Sequence, residues 1–176
     1  MDILVPAEFQ RLWETNDRQP VVKYPEDVLR QPAEPVERVN KRIRQLVARM
    51  KEVAKLAHGI GLAAPQVGVS ARVIIASIGE SRMTTLINPR ILRSDGAVWG
   101  EEGCLSIPGL YGDVERAIVV EVEAMDIEGK PVKYLLEGMA ARVVQHEIDH
   151  LDGVLFIDKV DLESLHWAWP AGAAAS

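Results

Sequence analysis

His146 and His150 stand four residues apart, with Glu147 beside the first, in the segment RVVQHEIDHL (142–151). On an α-helix that spacing projects both imidazoles from one face about one turn apart, as two ligands to a single ion require. The H-E-x-x-H order also sets a carboxylate against the same space, where it can take and return the proton of a water activated by a divalent metal. Five-residue patterns recur by chance, and two histidines with a glutamate also suit an ordinary polar helix face. The surrounding residues argue otherwise. Met139, Ala140, Val143, Val144, Ile148 and Leu151 make the segment apolar on more than one side. Burying two imidazoles and a carboxylate among such residues is costly unless they are paired or metal-bound.

A catalytic site of this type takes three protein ligands and keeps a position open for water. Phe156 occupies the place where the longer H-E-x-x-H-x-x-G-x-x-H pattern needs its third histidine, and Glu163 follows His150 by only thirteen residues. Cys104, between Gly103 and Leu105, is the stronger candidate, because a thiolate is a good ligand for zinc or ferrous iron. A free cysteine is equally at home as a small buried hydrophobe, and composition does not choose between the two. His58 reads as a cap at a helix C-terminus and His166 as a surface residue of the tail.

The elements that would position these groups follow from periodicity. A helix is expected from Pro35, well suited to a first helical position, to Ala57, closing at His58-Gly59, and a second over 138–152 with Gly153 as its stop. GIGLAAPQVG (59–68) reads on composition as a tight helix-to-strand connection; no Gly-Lys-Ser/Thr follows to make it a phosphate loop. Strands are expected at 72–78, 84–87 and 97–100, with a polar turn at 79–81 and Asn88-Pro89 closing the second strand. The runs 118–125 and 132–136 form a hairpin across 126–129. The result is an α+β fold, mainly antiparallel sheets around a central metal-binding helix, with the long N-terminal helix packed outside. Residues 1–20 are an extension with a short helix near 6–15, residues 21–160 a single domain, and 161–176 a tail whose Trp167 and Trp169 cover an apolar patch before a frayed end.

Composition narrows the function classes. A net charge of −6 and a pI near 5.3 leave no basic footprint for nucleic acid. No apolar run approaches the roughly 20 residues of a membrane span. Asp2, Glu8, Glu14 and Asp17 against Arg11 and Arg18 suit neither a signal peptide nor a transit peptide, so a cytosolic location is expected. With 176 residues, 48% of them hydrophobic, the chain can build one sizeable core. A lone cysteine excludes an intrachain disulfide.

Three separated stretches, GIGLAAPQ (59–66), EGCLS (102–106) and QHEIDHL (145–151), together resemble the signature motifs of the peptide deformylase family in order and spacing. The resemblance extends over about 21–160, through VKYPEDVLR, LINP and VLFIDK. From 138 to 160 it is closer to the branch containing organellar enzymes, although the N-terminus lacks a transit-peptide composition; a bacterial cytoplasm is expected and an organelle left open. The resemblance implies a metal held by Cys104, His146 and His150, with Fe2+ in the cell and Zn2+, Ni2+ or Co2+ as substitutes. It implies Glu147 as general acid and base, and the Gln66 side chain with the Leu105 backbone N–H as oxyanion donors. The implied reaction is hydrolysis of the N-formyl group from the formylmethionine of nascent chains. Gly59, Ile60 and Gly61 become a cleft wall on which the peptide pairs as an added strand. Ile60, Leu105, Met139 and Val143, with the stem of Arg142 at the rim, would line the methionine pocket.

Two departures stand out. Many bacterial relatives carry an arginine where this chain has Tyr111, so the anchoring of the substrate backbone differs. The tail is not basic, and ribosome docking through a basic C-terminal helix is not supported. A metalloendopeptidase, or a relative that only binds formyl peptides or holds a structural metal, are the alternatives; Glu147, Gln66 and Cys104 weigh against the second.

Overall fold

A computed structural model describes residues 2–16, 20–79 and 83–170. The centre of the chain is a strand buried on both faces. In β2 (Val73–Ser77), Val73 and Ile75 join the apolar cluster under the first helix, while Ile74 and Ala76 join the cluster around the second. A continuous apolar run is what a strand covered on both sides requires. β2 lies between β1 (Gly61–Ala63) and β3 (Met83–Asp95), and β6 (Val119–Met125) and β7 (Pro131–Glu137) complete a five-stranded antiparallel sheet in the order β1-β2-β3-β6-β7. A second, three-stranded antiparallel sheet has the order β4-β5-β8, formed by Val98–Cys104, Ile107–Arg116 and His166–Trp167.

The first helix, α1 (Lys41–Leu56), buries Leu46, Val47, Met50, Val53 and Ala54 against β1 and β2. It begins six residues later than Pro35. Asn40 is the cap, its side chain accepting from the Ile43 N–H at 3.1 Å. The preceding segment is held to β3 instead, through a two-way bond between Asn88 and the Val36 backbone, 2.8 Å each way. That same Asn88-Pro89 pair does not end its strand. β3 continues to Asp95, and a register shift between Ile87 and Arg90 against β6 accommodates the proline that cannot donate. The hairpin of β6 and β7 forms as expected, its turn fixed by Asp126 Oδ1, which accepts from the Glu128 and Lys130 N–H groups. Of the turn expected at 79–81, Glu80 and Ser81 lie outside the described residues, as does the tail beyond Pro170.

β5 was not legible as a strand. IPGLYGDVER carries one proline and two glycines, which read as turn residues, yet it forms a ten-residue strand with seven residues in register with β4. The second helix, α2 (Gly138–Leu151), lies between the sheets: Val143, Val144, Ile148 and Leu151 pack on the five-stranded sheet, and its far side meets β4 and β5 through polar groups. There Arg142, 9% exposed, donates to Glu102 Oε1 at 2.8 Å and to the carbonyls of Val98 at 2.9 Å and Val114 at 2.9 Å. Its guanidinium therefore bolts the helix to both strands, while Arg142 is also one of the residues that line the cleft. At the chain ends, a 3-10 turn (Ala7–Trp13) places Phe9 against Trp167 and Trp169, so the tryptophans do cover an apolar patch.

Removing one partner of a buried ionic network leaves the others desolvated and unpaired, at a cost of about 3–5 kcal/mol. Urea denaturation of Arg142→Met should show a loss of that order. Arg90→Met, which removes the exposed pair with Glu123, should change stability by less than about 1 kcal/mol. Equal effects would mean that Arg142 does not join helix to sheet.

Candidate active site

α2 is central, so its polar side chains have little contact with water: His150 is 1% and Glu147 4% exposed. His146 and His150 stand one turn apart with ring centroids separated by 5.1 Å. Cys104 comes from the opposite sheet. It closes β4 at a register shift, where the chain turns through Leu105 and Ser106 into β5. The sulfur and one ring nitrogen of each histidine all lie within 4.8 Å of one another, with Cys104 Sγ and His150 Nε2 3.2 Å apart. Two donors also face the sulfur, the Ser106 N–H at 3.4 Å and Gln66 Nε2 at 3.6 Å.

Glu102 orients this cluster. Its carboxylate receives Arg116 through two bonds of 2.9 Å, Arg142 at 2.8 Å and His146 Nδ1 at 2.9 Å. Burial alone would push its carboxyl up, but Arg116 and His146 hold it well below the usual carboxylate range. An ionised Glu102 keeps the proton of His146 on Nδ1 and leaves Nε2 for the cluster. Burial opposes charge on His146 as well, yet Cys104 and Glu102 raise its pKa well above the ordinary value. At His150 burial, then the neighbouring His146, lower it well below. Cys104 and Glu102 thus favour positive charge at this cluster, where a cation can take the place of a second proton on His146. One sulfur and two imidazole nitrogens form a donor set suited to zinc or ferrous iron, and these residues fit a divalent cation.

Glu147 is placed differently. Its Oε2 is buried without a hydrogen-bond partner among the described residues, and burial pushes its carboxyl up to about 7, opposed by His146. A buried carboxylate oxygen without a donor is costly, and a proton or a water is what it lacks. Space for it is made across the cleft at Gly61, where an added Cβ would come within 2.9 Å of Glu147 Cδ and Val143 Cγ1. The glycine-rich stretch is therefore a close approach of the β1 backbone to the site, more than a tight connection. Gln66, 2% exposed, follows in a 3-10 turn (Ala64–Val67); its Oε1 accepts from the Ala63 N–H at 2.9 Å, which turns Nε2 toward Cys104 and Ser106.

A cleft of about 370 Å³ opens over this centre. Its lining includes Gly59, Ile60 and Gly61, Leu105 and Tyr111, Met139 and Val143, and Cys104, His146 and Glu147 of the cluster. His150 is buried and is not among the residues that line the cleft. Ile60 and Met139 stand at the mouth, 54% and 63% exposed. Sequence reasoning assigned no role to Glu102, although it opens the EGCLS stretch, and none to Arg116; a lone arginine ending an unrecognised strand carries no signal. It read His58 as a helix cap and His166 as a surface residue rather than as ligands; neither belongs to the Cys104 cluster, but His58 lines the cleft and His166 stacks on Tyr111 at 6.1 Å.

The profile of the polypeptide deformylase family matches residues 18–165. A peptide deformylase of Desulforudis audaxviator is 46% identical over 140 residues, covering 79% of this chain and 91% of its own. Peptide deformylase 1 of Bacillus anthracis is 50% identical over 141 residues, covering 80% and 90%. Among solved structures, a peptide deformylase from Synechococcus elongatus in complex with actinonin superposes with a TM-score of 0.78 at 44% identity, over 81% of this chain and 80% of that one. The enzyme from Thermotoga maritima gives 0.77 at 40% identity, over 80% and 96%. With the profile spanning most of its length and relatives at this identity, the chain belongs to the peptide deformylase family.

Proposed function

We propose that this chain is a metal-dependent hydrolase that removes the N-formyl group from the formylmethionine of newly made polypeptides and releases formate. The observation that carries the reading is Glu147, a buried carboxylate with an unpartnered oxygen, set beside Cys104, His146 and His150 at the foot of an open cleft. Those three side chains would hold one divalent ion, which we assign as Fe2+ in the cell, with Zn2+, Ni2+ or Co2+ as substitutes. Such an ion supplies Lewis acidity, polarising the formyl carbonyl and making water a usable nucleophile near neutral pH.

The chain's own residues do the rest. Glu147 accepts the proton of the attacking water and returns it to the leaving amine; a carboxyl pushed up to about 7 is matched to moving a proton both ways near neutral pH. Gln66 Nε2 and the Leu105 N–H donate to the oxygen that gains charge as the carbonyl becomes tetrahedral. Gln66 needs no reorganisation for this, because its Oε1 is already tied to Ala63. Glu102 keeps His146 in the tautomer that a ligand requires. β1 is an edge strand, and the peptide would pair along Gly59, Ile60 and Gly61. Its methionine side chain would pack among Ile60, Leu105, Met139 and Val143, with Tyr111 offering one hydroxyl where others use a cation. Residues 21–160 are assigned as the catalytic unit. No helix among the described residues is long and apolar enough to cross a membrane, and the relatives cited are bacterial; we place the enzyme in the cytoplasm, where formylated chains begin.

Protein purified without oxygen should carry about one equivalent of iron and lose activity in air, because Fe(II) and a thiolate lining an open cleft both oxidise. Elemental analysis of Cys104→Ala should find that equivalent gone; retained metal would overturn the ligand set. Glu147→Gln should keep its metal while kcat for formate release from formyl-Met-Ala-Ser falls about 10²- to 10⁴-fold, with a smaller change in KM. Gln66→Ala should lose about 10²- to 10³-fold with metal retained. A fully active Glu147→Gln, or metal-loaded wild type that releases no formate, would end the deformylase reading.

A further inference from the structure

The two turns that carry Gln66 and Leu105 belong to different sheets, and one short segment ties them together. Gln66 sits in the 3-10 turn that follows β1 of the large sheet, and Leu105 and Ser106 link β4 to β5 of the small one. Between them, the Val22 N–H donates to the Gln66 carbonyl at 2.8 Å and the Tyr24 N–H to the Ser106 carbonyl at 2.9 Å. Val22 and Tyr24 also pack in the apolar cluster that includes Cys104. Two residues of extended chain span about 7 Å, so one stretch of backbone holds both turns within that reach. Lys23 is the residue between the two anchors.

Lysine is rarely buried, yet Lys23 is 8% exposed, and its Nζ donates to the Val21 carbonyl at 2.7 Å. One carbonyl does not offset what an ammonium loses on leaving water, whereas a nearby opposite charge does. Among the described residues that charge is the Cys104 thiolate: burial pushes the Lys23 ammonium down to about 8, and Cys104 opposes the shift. At pH 7 the side chain is therefore still charged. His146 and His150 answer chiefly to other groups, Glu102 and Arg116 among them, so the ammonium acts on the sulfur side of the cluster. The sulfur also faces the Ser106 N–H at 3.4 Å and Gln66 Nε2 at 3.6 Å, and Ser106 and Gln66 are the residues that the bridge holds. Hydrogen bonds and charge around a ligand sulfur draw on the electron density it can donate, and so tune the ion it holds.

We propose that Lys23 is a positioning residue for the reaction: fixed by the bridge, its buried ammonium offsets the negative charge of the Cys104 sulfur, so that a bound cation keeps more of its Lewis acidity toward the formyl carbonyl. The proposal rests on the metal-dependent reading above. Lys23→Met removes the charge at nearly equal length, and Lys23→Arg keeps it. In Co2+-loaded protein the sulfur-to-cobalt charge-transfer absorption of Lys23→Met should move to longer wavelength, because sulfur electrons are held less tightly without the neighbouring cation; Lys23→Arg should absorb as wild type does. With metal retained at about one equivalent, kcat for formate release from formyl-Met-Ala-Ser should fall about ten-fold in Lys23→Met with KM nearly unchanged, and recover to within about three-fold of wild type in Lys23→Arg. Lys23→Gln, a second neutral variant, should reproduce both the shift and the loss. The urea midpoint of Lys23→Met should equal or exceed that of wild type, since an apolar chain there has no charge to desolvate. Wild-type absorption and kcat in the neutral variants, an equal loss in Lys23→Arg, or neutral variants that do not fold would overturn the role of the charge. Metal-loaded wild type that releases no formate would overturn the deformylase reading alone, because the absorption shift tests Lys23 without turnover.

Discussion

The buried carboxylate of Glu102 is the interaction on which the rest of the molecule depends. It lies at the meeting of β4, β5 and α2 and receives a donor from each direction: Arg116 at the end of β5, and Arg142 and His146 from the helix. Taking that many charges out of water costs several kcal/mol per ion, and hydrophobic residues of equal volume could serve stability as well. What apolar residues could not supply is direction. The guanidiniums and the imidazole fix the rotation of α2 against the small sheet, so that Cys104 from one element meets His146 and His150 from another. Arg116 extends the network to Asp149, and Lys159 reaches the same carboxylate, locking the last turn of the helix as well.

The opposite side of the site is shaped by missing side chains rather than by charges. Apolar packing brings the five-stranded sheet against α2, and its edge strand reaches Glu147 only because residue 61 has no Cβ. Directly after it, Gln66 spends its carbonyl oxygen on the Ala63 N–H, so that its amide nitrogen has one direction left. Polar registration on one face and close backbone approach on the other leave a narrow space above the cluster with Glu147 at its edge. A small planar acyl group suits such a space, and the peptide beyond it is left to the open cleft.

The sequence carried much of this. Two histidines four apart on an apolar segment already define one face of one buried helix, since helical geometry is local and needs nothing from the rest of the chain. The alternation of β6 and β7 with Asp126 and Gly129 between them was equally local. Where local signals and partners disagree, the partners decide. Pro35 suits a helix start, but Asn88 holds Val36 extended and Asn40 caps the helix. Asn88-Pro89 reads as an end, but a bulge against β6 carries β3 through it. β5 looks like a loop because its glycines are there for packing: Gly109 admits Phe9, and Gly112 lies against Val160.

By itself, then, the sequence determined the metal-binding helix, the approximate strands of the large sheet and the family, because each rests on residues within a few positions of one another. Tertiary structure brings Cys104 to the histidines, as the resemblance implied, and it alone decided that the Arg142 guanidinium is a structural bolt and that Glu102 and Arg116 support the site. These depend on contacts between residues from 14 to 46 positions apart, such as Arg116 with Glu102 and Cys104 with His150. It also decided that both chain ends border the cleft. No periodicity encodes that, because the stacking of Phe9 on Trp167 joins residues from opposite ends of the chain, and only the folded sheet between them brings the rings together.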